Sequence, residues 1–512
     1  MYMPSLYENG GVSQDVVEEI LLWPPDIFAL TAVLLEETGI YRLVVSPPKG
    51  YAWPPHSKWA SFARHTGRDW QAQFEHGKSS TPVAALLDVI LIAAETPLAQ
   101  LRVDAEGCWR LCKAILSLNA IADEACVNAG IPTGRKENTR FHTEANVRLT
   151  SAGTLAKDRV RWATVLPKLR TPQIGITTRS MSMHVALDRS EVGVNWSVGG
   201  LLKKRKEKKL NLLLLPWPLK IKTTDFRAVP GPTDHDDYFE YSASERLSYS
   251  RIRKLIEEAK KEVGDINAVI LPELAVHAKQ LPRIKRVLKE QGVFGLLAGT
   301  RDRNKNYAHL ARLYGSGGDW TDQEQHKHHR WCIDESQIRQ YHLGSSLHPS
   351  KRWWENIDIQ PRQINFLAIN GWLTMCALIC EDLARSEPGL DTICAVGPTL
   401  VVALLLDGPQ LEARWPGRYA SVLADDPGSS VLSVTALGMA ERSRPKGMPA
   451  SRVVALWKDA RTGSSQIELE PGAQGVVLTL CAEYVREWTA DGRNDEGAAG
   501  VLSLAGVHQV RC

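Results

Sequence analysis

The 512-residue sequence lacks most of the features that would place a protein in a class at sight. No two of its nine cysteines are spaced C-x-x-C, and their number is odd. A zinc knuckle or a disulfide framework is therefore not expected, and reduced thiols in a cytoplasmic protein fit best. The first residues, MYMPSLYENGG, lack the basic and apolar regions of a secretory signal. Apolar runs such as PTLVVALLL (398–406) fall far short of the ~20 residues a membrane span needs, so no membrane segment is expected. Glycine-rich phosphate loops of the GxGxxG kind are missing, which argues against nucleotide chemistry. An excess of one charge is missing too. The 62 Lys and Arg against 58 Asp and Glu leave a net +4, too little at this size to imply nucleic acid or a membrane surface. No internal repeat is visible.

What remains is the composition of a soluble globular protein, with 44% hydrophobic and 23% charged residues. The chain is too long for one ordinary core, and two domains are expected. The sixteen tryptophans scatter from Trp23 to Trp488, as in well-filled cores rather than in one stacking platform. Residues 1–200 read as a mixed, largely helical domain of unassigned role. Helices are expected over 81–101 and 107–131, and WPPDIFALTAVLLEETGIYRLVVSPP (23–48) reads as a helix, a Gly cap and a strand. Residues 201–209 read as a basic linker carrying KKRKEKK (203–209), without the interleaved aromatics of a nucleic-acid site. From residue 210 onward, buried strands alternate first with helices and then with one another. LNLLLLPW (210–217), INAVILPEL (266–274), TLVVALLL (399–406) and SSVLSVTAL (429–437) are examples, and they argue for an α/β layered fold.

Buried strands in such layers deliver reactive groups where the chain leaves the sheet. VILPEL places Glu273 at such an exit, QHKHHRWCIDE presents Lys327 in a polar segment, and LICEDLAR places Cys380 at the end of an apolar run. A thiol attacking a carbonyl or nitrile carbon needs a base for its proton and a positive donor where negative charge develops. Taken singly, Glu273 reads as a helix N-terminal acid, Lys327 as a solvated residue and Cys380 as a small core residue. Their order along the chain is what joins them.

That order, with LPE after a first strand–helix unit and ICEDL at a strand end, resembles the nitrilase (carbon–nitrogen hydrolase) superfamily over residues 210–512. The resemblance implies an α-β-β-α sandwich and a Glu–Lys–Cys triad. Glu273 would be the general base, Lys327 the donor to the tetrahedral intermediate and Cys380 the nucleophile. Glu335, eight positions after Lys327, is expected as the second glutamate that positions the lysine or a substrate amide, with Asp334 a weaker candidate. The backbone amides of Glu381 and Asp382 would help to hold the oxyanion. The family needs no metal or organic cofactor, and its members commonly form homo-oligomers. The stretch 345–363 is expected to be a loop near the pocket. The function implied is hydrolysis of a nonpeptide carbon–nitrogen bond in a small amide or nitrile through an acyl-thioester.

The rival expectation is a nitrilase-like scaffold or sensor acting with a protein partner through residues 1–200, in a setting such as bacterial antiviral defence. Residues His326, His328 and His329 do not read as a metal site, because adjacent histidines share no helical face and no carboxylate completes a ligand set. His235, Asp236 and Asp237 read as a solvated loop. Trp353 and Trp354 could line a pocket, contact a second subunit or anchor the surface.

Overall fold

The computed structural model describes residues 21–94, 105–130, 140–150, 164–202, 207–230, 237–313, 318–444 and 447–512. The chain forms two compact units. One comprises Met1–Ser190, Cys394–Gly397 and Val485–Ala499, and the other Glu191–Ile393, Pro398–Tyr484 and Gly500–Cys512.

The first unit is built from helices α1 (Pro24–Thr38), α2 (Trp59–Phe74), α3 (Thr81–Ala94), α4 (Ala105–Ala125) and α5 (Arg140–Thr150), with a small hairpin of β1 (Thr164–Pro167) and β2 (Val185–Asp188). Prolines at its first two positions start α1, and Gly39, with φ 69°, ends it by donating to the Leu35 carbonyl. The strand expected after Gly39 is instead a 3₁₀ turn, Ile40–Val44. Only Val44 of its five residues is buried, so the alternation that would hold a strand against a core is absent. Helix α4 packs against α1, α2 and α3. Its buried Leu111, Ile115, Leu118 and Ile121 recur at helical spacing. A hydrogen bond from Asn119 to Thr31 (3.0 Å) ties it to α1.

The same unit buries a guanidinium completely. Arg493 bonds through Nε to the Asp491 carboxylate (3.1 Å), through Nη1 to Asp123 (2.9 Å) and Glu124 (3.1 Å), and through Nη2 to the Met181 carbonyl (2.8 Å). Asp123 also accepts the main-chain N–H groups of Met183 and His184, both at 2.8 Å, and so fixes the start of β2.

The second unit contains β3 (Gly193–Val198), β4 (Lys209–Leu214), β5 (Phe226–Val229), β6 (Asp237–Tyr241), α6 (Tyr249–Val263), β7 (Ala268–His277), α7 (Leu281–Glu290), β8 (Gly295–Asp302), β9 (Lys305–Leu313) and β10 (Trp320–His326). It continues with β11 (Cys332–Ile333), α8 (Glu335–Gln340), β12 (Trp353–Glu355), β13 (Gln363–Ala368), β14 (Thr374–Ile379), β15 (Leu400–Leu405), α9 (Trp415–Asp425), β16 (Ser430–Thr435) and α10 (Leu437–Arg442). Strands β17 (Val453–Asp459), β18 (Gly463–Glu468), β19 (Gly475–Val485) and β20 (Ala499–Val510) complete it.

Two seven-stranded sheets result, in the orders β10-β9-β8-β7-β4-β19-β20 and β18-β17-β16-β15-β14-β13-β3. Strands of one sheet pack on the other, β7 against β15 and β16, and β9 against β14. Buried amides add polar pins between them. Gln325 donates to the Ala377 carbonyl (2.6 Å) and accepts from the Asn365 N–H (2.9 Å). Helices α6 and α7 cover the outer face of the first sheet with Ile252, Leu255, Ile256, Ile284 and Leu288. Helix α9 packs on β16 and β17. A third sheet, β11-β12-β6-β5, carries a buried aromatic cluster of Phe226, Phe239, Tyr241, Trp331 and Tyr341.

The division of the chain differs from the expected 1–200, 201–209 and 210–512. Strand β3 lies before the expected linker, yet it pairs in parallel with β13, 170 residues later, and so belongs to the second unit. Cys394–Gly397 and Val485–Ala499 belong to the first. Neither exchange leaves a local composition signal. Of the basic run, 203–206 lie outside the described residues, and Lys209 already opens β4. His235 and Asp236 lie outside them too, while Asp237 opens β6 and pairs with Lys351 (2.8 Å). Among the described residues, no helix is long and apolar enough to cross a membrane.

Candidate active site

Strands β14, β15 and β16 run parallel and in register, Ile379 beside Leu404 and Leu405 beside Thr435. Their C-terminal ends therefore form one edge, where Cys380, Leu406 and Asp407 emerge. Cys380 is the first residue past β14 and opens a 3₁₀ turn, Cys380–Leu383. Its φ of 47° is left-handed, a strained conformation for a side chain with a Cβ. The turn disposes of both acids that follow. Glu381 pairs outward with Arg385 (2.6 Å). Asp382 is buried and accepts the N–H groups of His328 (3.1 Å) and His329 (3.0 Å) and the His329 ring at 3.0 Å. Its carboxylate thereby fixes the backbone immediately after Lys327.

Glu273 was expected just past its strand. The strand instead continues to His277, and Glu273 sits on a bulge where the pairing of β7 with β8 shifts between Leu271 and Val276. Gly299 on β8 permits this approach. A Cβ there would lie 2.2 Å from the Pro272 carbonyl oxygen and 2.3 Å from the Glu273 Cα. The bulge aims Glu273 at the lysine. Its Oε1 accepts Lys327 Nζ (2.8 Å) and Asn306 Nδ2 (2.7 Å), and its Oε2 accepts the Leu406 N–H (2.8 Å).

Lys327 directly follows β10, and its own N–H bonds to the Asn306 carbonyl (2.9 Å). Its Nζ donates to a second carboxylate, Oε2 of Glu355, at 2.6 Å. Glu355 also accepts the Trp331 N–H (3.1 Å) and, through Oε1, Asn306 Nδ2 (2.8 Å). An ammonium has three N–H bonds, and these two acceptors leave one of them.

Glu335, expected as the second glutamate, is not one of the carboxylates that Lys327 meets. It lies in the first turn of α8 with its side chain 57% exposed, paired with Arg339 four residues on. Asp334 caps the same helix through the Gln337 N–H (2.9 Å). The second carboxylate against Lys327 is Glu355, on β12, inside the stretch expected to be a loop. Trp353 of the same strand is buried in the aromatic cluster. The sequence signal that could have found Glu355 is the tripeptide WWE, a three-residue strand between polar flanks. Asn306 left no signal.

The site is closed. Lys327 and Glu273 are each 1% exposed and Cys380 3%. Burial pushes the Cys380 thiol well up, Glu273 adds to this, and Lys327 opposes both. The thiol therefore rests protonated. Glu273 is pushed up by burial against the pull of Lys327, which suits it to receive a proton. Lys327 stays a cation, because Glu273 and Glu355 together outweigh the burial that would neutralise it. Among the described residues, no group of three His, Cys, Asp or Glu side chains is arranged to hold a metal ion. His328 bonds to the Gln363 main chain and His329 to Asp382.

Solved structures to which the chain is similar include two from nitrilase-type proteins. One is Saccharomyces cerevisiae Nit3, a member of branch 10 of the nitrilase superfamily, with 13% identity and a TM-score of 0.29 over 55% of this chain and 92% of that one. The other is the C. elegans NitFhit protein, with 10% identity and a TM-score of 0.31 over 51% of this chain and 57% of that one. At this level of similarity neither assigns a residue or an activity here. No family model and no curated protein matches the chain.

Proposed function

We propose that the second unit is a nitrilase-type α-β-β-α sandwich and a thiol hydrolase that cleaves a nonpeptide carbon–nitrogen bond, an amide of a small molecule. The observation that carries this is the buried Lys327, shared between two carboxylates beside a thiol held at positive φ. Cys380 Sγ attacks the carbonyl carbon while its proton passes to Glu273. The oxygen that gains charge takes the remaining N–H of Lys327, and the amides of Glu381 and Asp382 at the start of the 3₁₀ turn assist. When the tetrahedral intermediate collapses, the carbon–nitrogen bond breaks and Glu273 returns the proton to the departing ammonia or amine. Water, deprotonated by Glu273, then releases the acid from the thioester. Glu355 and Asn306 hold the lysine and the base in place without touching the reacting atoms.

Ammonia release from small aliphatic amides is expected to vanish in Cys380→Ala while the thermal midpoint stays within a few degrees. Turnover surviving in that variant overturns the assignment. The depth of the thiol favours one further reading, a binding protein whose site opens only on a partner. Turnover by the isolated full-length chain would exclude it.

A further inference from the structure

At the same strand edge, one buried carboxylate has an oxygen with nothing to bond. Asp407 follows Leu406, whose N–H binds Glu273. It is 4% exposed, and its charge reaches Cys380. Its Oδ1 accepts two donors, the Tyr341 hydroxyl and Arg414 Nη2 (2.9 Å), whereas Oδ2 has no partner. The side chain is not free to turn away. Thr435 Oγ1 donates to the Asp407 carbonyl (2.6 Å) and accepts its N–H (3.2 Å). Arg414 is pressed on the next residue so closely that a Cβ on Gly408 would lie 2.0 Å from Nη1. A buried carboxylate oxygen left bare in a fixed side chain is costly unless a ligand supplies the donor.

We propose that Asp407 determines specificity, its Oδ2 receiving an N–H from an amine that the substrate carries beyond the reacting carbonyl. This deepens the amide-hydrolase reading and rests on it. An alkyl group in that place leaves the oxygen bare, and a carboxylate meets like charge. Arg414 does not reverse the preference, because its Nη2 is already held on Asp407 Oδ1. The substrate class is therefore a short amino-amide rather than a monoamide of a dicarboxylic acid.

Three amides that differ only in the group on the β-carbon test this: β-alaninamide with an amine, its isostere butyramide with a methyl, and succinamic acid with a carboxylate. Calorimetric titration of the full chain carrying Cys380→Ala measures binding apart from turnover. β-Alaninamide is expected to bind about tenfold more tightly than butyramide, the size of one charge-assisted hydrogen bond, and succinamic acid more weakly than either. Adding Asp407→Asn, which keeps an acceptor for Tyr341 and Arg414, should erase the preference. Equal binding of the three, no binding of any, or a preference that survives Asp407→Asn overturns the proposal. Should Asp407→Asn fail to fold, the ligand series alone decides, since succinamic acid binding as well as β-alaninamide is enough to reject it. If β-alaninamide is preferred yet the chain with Cys380 intact hydrolyses none of the three, the hydrolase reading fails and the Asp407 assignment stands.

Discussion

Both units bury a cation between two or more carboxylates, Arg493 in the first and Lys327 in the second, and the two clusters differ in what they leave over. Arg493 binds Asp491, Asp123 and Glu124 and two main-chain carbonyls through all three of its nitrogens, and it is fully buried. Lys327 has Glu273 and Glu355 and one N–H more than they need. A satisfied cluster holds chain segments together, and Arg493 joins α4 to residues far along the sequence. A cluster with a donor in hand, a raised carboxylate and a thiol in range can respond to a ligand. The carboxylates show the same contrast. Burial pushes Glu124 up, but the His184 hydrogen bond and the Arg493 charge prevail and hold it at about 2, whereas Glu273 ends up raised.

Exchanging each cation for methionine breaks the comparison most sharply. Arg493→Met strands ionised carboxylates in the first unit and should cost about 3–5 kcal/mol, read as a large fall in thermal midpoint. Lys327→Met should cost less stability, because Glu273 can take a proton, but should lower turnover by at least about 10²-fold. Similar stability losses in the two variants would remove the distinction. Next in size is a pair of glutamates. Glu355→Gln loosens the lysine and should reduce kcat by about tenfold or more, whereas Glu335→Gln, on the exposed face of α8, should change stability by less than about 0.5 kcal/mol and leave activity alone. The smallest effect is a pH dependence. Glu124 lies below its ordinary 4.5 in the folded state, so its contribution is present above that pH and is lost as pH falls toward about 2. The midpoint difference between the wild type and Glu124→Gln should be widest near neutral pH, worth up to roughly 3 kcal/mol, and should close in acid. A gap that widens on acidification would contradict this.

The reach of the sequence follows the same physics. Lys327 and Cys380 can be picked out because each directly follows a run that the sheets require to be regular, whereas Glu273 sits on a bulge inside β7 that the run itself does not announce. The buried strands of the second unit are legible for the same reason. Glu355 is not, because its three-residue strand β12 is defined by pairing with β6, more than a hundred residues earlier. Glu335 has the expected spacing, but α8 turns it to solvent. Asn306 is the second residue of β9, close to a turn, where a polar residue is ordinary until Glu273 and Glu355 are seen to share its side-chain amide. The unit boundary failed at β3 for the reason that hid β12, a partner strand far away in the chain.

Cys376 and Cys380 offer the most direct test, since both are buried and burial raises both thiols. They differ in that only Cys380 has Glu273 and Lys327 within electrostatic range. Iodoacetamide, itself a small amide, should alkylate Cys380 at least about tenfold faster than Cys376 by peptide mapping, and Glu273→Gln should remove that advantage. Equal rates at the two cysteines, or an advantage indifferent to Glu273, would contradict a poised nucleophile.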